Sequence, residues 1–258
     1  MLRYICYIIN IYRARARLSK NTERIEVIVL STETRIVFEL IYLAMMGAAF
    51  VYGALHLFKK GQPLYFQLYV MGCGCRFVER LIVFTTFICG FETANVSVGT
   101  FFGMFTMGMF VVSANYGTLD SIVDDKHDAR NKKARWIGMA VAAFNLAAVS
   151  VICYFYAVNV SLYTSVIILI AVAPAVVSSY FCTKHLFLPM DELGLLRATR
   201  PCNIIAVIVY AVGIVNNLIA SFVGSEFALY CVRIAVYALP ALLVIFAVKG
   251  AKKWKTLT

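Results

Sequence analysis

The chain has 258 residues, of which 62% are hydrophobic and only 14% charged, and its formal net charge is +11. Soluble domains hold about half apolar and about a quarter charged residues, so a globule of this length has no way to hide so much apolar surface. The cations lie mostly between apolar runs rather than in one patch, which excludes a nucleic-acid partner and makes the lipid bilayer the expected solvent.

The first 35 residues carry seven Lys or Arg. Their apolar stretch 2–12 is too short to span, is followed by Arg13, Arg15 and Arg17, and lacks a small-residue cleavage site. Residues 1–35 are therefore read as a basic, peripheral segment ahead of a single membrane domain over 36–258. A spanning helix needs about 20 apolar residues. Seven segments meet that need, near 36–58, 64–91, 98–119, 136–157, 160–183, 202–223 and 227–248. Between them lie Lys59-Lys60-Gly61-Gln62-Pro63, residues 92–97, a charged stretch from Asp120 to Arg135, Asn159, residues 188–201 and Gly224-Ser225-Glu226. The expected fold is all-α: a polytopic bundle of seven transmembrane helices.

Loop charge gives this bundle a direction. Connections one, three and five and the C-terminal tail carry fourteen Lys or Arg, whereas connections two, four and six carry none. The positive-inside rule then predicts a cell-membrane protein with its C-terminus cytoplasmic and the N-terminal side of span one outside. The cations of residues 1–35 pull against that orientation.

Ionisable groups within a span are costly and mark functional sites by default. Five fall inside the predicted spans: Glu39 in span one, Arg76, Glu79 and Arg80 in span two, and Arg233 in span seven. The spacing 76, 79, 80 puts three of them on one helix face. Asn216 and Asn217 of span six lie at similar depth. Three guanidiniums against two carboxylates leave one cation over, and Arg holds carboxylate or phosphate through a planar fork. Glu39, Arg76, Glu79, Arg80, Asn216, Asn217 and Arg233 are thus the expected binding residues for a small anionic ligand. The competing reading is structural: Glu39 and Glu79 neutralise two arginines and tie spans one, two and seven together.

A second polar group ends span three, with Ser113, Asn115, Tyr116, Thr118, Asp120, Asp124, Asp125, His127 and Asp128. Hard oxygen ligands suit divalent cations. The run Asp120-x3-Asp124-Asp125-x2-Asp128 resembles, in part, the aspartate-rich motifs of intramembrane prenyltransferases. Those enzymes use two such motifs, and the other loops here supply only Asp191-Glu192. Lys126, Arg130, Lys132, Lys133 and Arg135 offer ready partners, so a solvated, charge-balanced loop is expected, with no metal site. Its remaining role would be to contact a cytoplasmic protein between Asp120 and Arg135.

Other chemistry finds little support. No Gly-x-Ser-x-Gly or His-Glu-x-x-His occurs, and His56, His127 and His185 are spread over three connections, with His56 and His185 read as interface residues. Arg233, rather than a lysine, is the cation of the last span, which excludes a retinal Schiff base. The eight cysteines read as reduced core residues, and Cys73 and Cys75 are too close for a zinc knuckle. No catalytic residue and no cofactor are predicted. Gly99, Gly103 and Gly108 thin span three for close packing, and Pro174 and Pro240 lie within spans five and seven.

His56-Leu57-Phe58 ends span one and His185-Leu186-Phe187 follows span five, hinting at a three-plus-one-plus-three repeat. The leading functional expectation is a transporter or facilitator for a small polar or anionic solute. The alternative is a membrane sensor or partner-binding subunit. An intramembrane enzyme acting on a lipid comes third.

Overall fold

The computed structural model of the chain describes residues 32–89, 95–124, 128–159, 162–189, 194–222 and 226–256. Among them every regular element is helical. Seven long helices follow in order: α1 (Thr32–Leu57), α2 (Leu64–Ile88), α3 (Asn95–Val112), α4 (Ala129–Asn159), α5 (Leu162–Phe187), α6 (Leu195–Phe222) and α7 (Glu226–Lys255). Four segments, Ile36–Leu57, Asn131–Phe155, Ser165–Phe187 and Leu195–Asn216, are long and apolar enough to cross a membrane. They support a membrane protein. Large apolar side chains such as Phe144, Tyr154 and Tyr163 are mostly exposed on the outer surface, as a lipid-covered bundle requires.

The boundaries follow local chemistry. Gly61 takes φ 78°, a left-handed turn open to glycine, and Pro63 then caps α2, where its missing N–H costs nothing. Two expected breaks are shorter than the sequence suggested. The charged stretch after Asp120 is already helical from Ala129, so Arg135 lies within α4. Helix α6 begins at Leu195 and carries Pro201 inside it, so Pro201 does not mark the boundary. The turn ahead of that proline is held by the Thr199 hydroxyl, which donates to the Leu195 and Leu196 carbonyls at 3.3 Å.

Packing closes the helices into a ring. α1 lies between α2 and α7, α2 also touches α3, α3 packs on α5, and α5 on α6, which returns to α7. α4 stays outside this ring, against α5 and α6. The core joins Tyr65, Phe66, Tyr69 and Val70 of α2 to Leu243, Val244 and Ala247 of α7 and to Cys202 and Ala206 of α6. Without a hydrophobic drive in lipid, such contacts hold by close packing and small residues. At Gly108 the α5 backbone comes so near that an added Cβ would stand 2.9 Å from the Ala175 nitrogen.

Helix α3 does not stop at Val112. It widens into a π-helical turn, Ser113–Asp120, and ends in the short turn Ser121–Val123. Single π turns inside α-helices are rare and gather at functional sites.

Candidate functional site

Four of the predicted binding residues meet. Arg76 Nη1 is paired with Glu79 Oε2, Arg80 Nη2 donates to Glu79 Oε1 at 2.8 Å, and Arg80 Nη1 stands 3.8 Å from Glu39 Oε2. Glu79 is 1% exposed and therefore serves as the shared acceptor of two guanidiniums from its own helix face. Gly103 of α3 makes room for it, because a Cβ there would overlap the Glu79 carboxylate. An anion approaching Arg76 or Arg80 would compete with Glu79 for the same N–H groups. Asn216 has a buried Oδ1 that accepts no hydrogen bond among the described residues. The side chains of Asn217 and Arg233 lie outside the described residues.

A second cluster lies at the other end of α2, where α1 passes into α2 and α7 ends. Lys184, near the end of α5, is 1% exposed. Its ammonium is paired with Asp120 and stands 3.1 Å from Asp124 Oδ2. Arg135 of α4 clamps the same Asp124 with two contacts, at 2.7 and 3.2 Å. Rings of Tyr180 and Phe181 cover the ammonium at 5.5 and 5.0 Å from their centroids. Burial alone would raise the Asp120 carboxyl, but hydrogen bonds from His185 and Lys184 outweigh it and hold the group below the usual carboxylate range. Asp124 is likewise lowered: Arg135 and Lys184 overcome its desolvation.

From this ionic knot a hydrogen-bonded chain runs into the bundle. His185, fully buried, reaches Asp120 Oδ1 with Nε2 at 3.0 Å and Asn115 Oδ1 with Nδ1 at 2.9 Å. Asn115 Nδ2 donates to the Tyr69 hydroxyl at 2.8 Å, and Tyr69 donates in turn to Asn203 Oδ1 at 2.8 Å. Tyr65 donates to the same Asn203 oxygen at 2.9 Å. The π turn makes this meeting possible. Residues five apart on an α-helix point about 140° away from each other at 3.6 residues per turn, whereas i to i+5 bonding stacks them. Asn115 and Asp120 can therefore reach the two nitrogens of one imidazole.

This corrects the sequence reading of both regions. The start of the aspartate-rich stretch is no solvated loop: Asp120 and Asp124 are largely covered, with 12% and 6% of their side chains accessible. Arg135 is the local partner that the sequence offered, and Lys184 adds a second from 60 residues away, beyond the reach of local charge balancing. His185 is no interface residue either, because its ring is wholly covered, whereas His56 is half-buried and bonds the Tyr52 carbonyl of its own helix. Asp125 and His127 lie outside the described residues. Lys184, Tyr65, Tyr69 and Asn203 were missed altogether. One signal was present: residues 65, 69, 72, 76, 79 and 80 follow one helical face of α2.

No protein-family model, no curated protein and no solved structure matches this chain.

Proposed function

We propose that the chain is a seven-span transport protein of the cell membrane for a small polar or anionic solute, with its C-terminus cytoplasmic. The observation that carries the reading is the polar stripe along α2. Tyr65, Tyr69, Cys73, Arg76, Glu79 and Arg80 line the side of that helix turned into the bundle. From Tyr65 to Arg80 the stripe covers about 22 Å at 1.5 Å per residue, most of a hydrocarbon core about 30 Å thick. Ionisable groups in a span are expensive, pair with one another or face water, and mark paths for ions or solutes by default.

The helix order lends support. α1, α2 and α3 form one arc of the ring and α5, α6 and α7 the other, with α4 outside, which suits two triplets moving against each other around a central path. The orientation rests on cations such as Lys59, Lys60, Arg197, Lys252 and Lys253 gathering around one set of helix ends.

The test is uptake by the purified chain in lipid vesicles, using a panel of small carboxylates, inorganic anions and neutral polar solutes. At least one should enter faster than into empty vesicles, and Glu79→Gln should change the rate per folded protein, with folding followed separately by its melting temperature. Vesicles that take up none of the panel would defeat the transport reading in favour of a sensor. Thermal stabilisation by a small anion without uptake would point the same way.

A further inference from the structure

We infer that His185 and Asp120 form a proton-binding site that holds one exchangeable proton. The argument begins with the Asn115 amide. Its nitrogen is identified by the Val111 carbonyl 3.0 Å away, since a carbonyl oxygen only accepts. The other amide atom, facing His185 Nδ1 at 2.9 Å, is therefore the acceptor Oδ1. Nδ1 must carry a proton.

The second ring nitrogen faces an acceptor as well. Nε2 lies 3.0 Å from Asp120 Oδ1, a carboxylate oxygen already paired with Lys184. A neutral imidazole has one N–H, and an ionised carboxylate has none to give. Both contacts are hydrogen bonds only if the pair holds one proton more than those default forms. Because Asp120 is paired with Lys184 and stays ionised, the extra proton belongs to the ring, which is doubly protonated beside the carboxylate. Release leaves a lone pair on Nε2 against the carboxylate, at a ring wholly covered by protein.

The other ionisable groups around the ring set its field. Asp124 and Arg135 lie behind Asp120, Lys184 adjoins the ring on α5, and Tyr69, Tyr65 and Cys182 close the inner side. Asp120 keeps 12% of its side chain accessible and is the way in from water, whereas His185 has none. Beyond the ring the chain cannot conduct: the Asn115 amide fixes the tautomer but does not take up and pass on a proton. The site is therefore terminal, loaded and unloaded from the Asp120 side. Both partners of the ring sit on the π turn Ser113–Asp120, the segment whose register a gained or lost proton would bias. On the transport reading above, which this last step rests on, the proton is the coupling ion.

The experiment uses the full chain in lipid discs with labelled imidazole nitrogens. Only three histidines are present, so His56→Gln and His127→Gln leave His185 as the single signal. Between about pH 9 and about pH 5, the range in which histidine responds, one proton should bind. It would be seen as both ring nitrogens protonated beside an ionised carboxylate. Asp120→Asn should shift the midpoint by at least tenfold in proton affinity. A single neutral tautomer with ionised Asp120 throughout would overturn the site, and this measurement needs no transport. An inward acid gradient should then speed solute uptake severalfold in wild type and not in Asp120→Asn. Uptake blind to the gradient would remove the coupling and leave the site. No uptake at all would remove the transport reading, with the nitrogen signal still deciding the proton site.

Discussion

The Lys184 ammonium stands 3.1 Å from the Asp124 carboxylate, 60 residues away in sequence, and the pair is sealed between the end of α5 and the start of α4. Removing one partner of a buried pair leaves the others charged in a poor solvent, at a cost of about 3–5 kcal/mol. Lys184→Met should therefore lower the unfolding temperature sharply in detergent or lipid discs. Adding Asp120→Asn should recover part of the loss. A Lys184→Met protein as stable as wild type would show that the knot contributes nothing.

Acid should weaken the same knot. Asp120 and Asp124 both have carboxyls lowered by their partners, so their contribution is fully present above the unfolded value of about 3.9. It is lost as pH falls from there through the lowered folded values. This carboxylate contribution should stay constant above about pH 5 and disappear below about pH 4, seen as a falling melting temperature. Asp124→Asn should flatten that drop, and an unchanged acid profile in the variant would assign it to other carboxylates.

Gly103 is where Glu79 and α3 meet, and a methyl group there would push the carboxylate off Arg76 and Arg80. Gly103→Ala should cost about 1–3 kcal/mol by overpacking. Among the described residues an added Cβ at Gly213 on α6 meets nothing within 4 Å, so Gly213→Ala should cost less than Gly103→Ala. Equal melting temperatures for the two variants would mean that Glu79 relocates freely.

Orientation can be read by reporters. One fused after Thr258 should report the cytoplasm, and one inserted at Thr93 the outside. Either result reversed would break the seven-span topology.

Helical class and helix positions were legible because each segment's composition carries its own signal. Apolar runs of about 20 residues have few folded alternatives in lipid. The triplet Arg76, Glu79 and Arg80 was legible for a related reason: i, i+3 and i+4 are neighbours on any helix, and all three meet in the structure. That Glu39 neutralises one of the arginines was the competing, structural reading from charge alone, with no partner named; its Oε2 lies 3.8 Å from Arg80 Nη1.

The sequence by itself determined the helical class, the turn around Gly61 and the intrahelical charge triplet, since these depend on chemistry within one or two turns of chain. Tertiary structure alone decided that Lys184, His185, Asn115, Tyr69 and Asn203 form one buried network. Each sits near a helix end, where a polar residue reads locally as a solvated exit. Burial there depends on which ends the ring of helices brings together and on a π turn that gives no pattern in sequence. A polar side chain near a helix end is solvated or sealed according to its neighbours, and those neighbours lie 46 to 134 residues away.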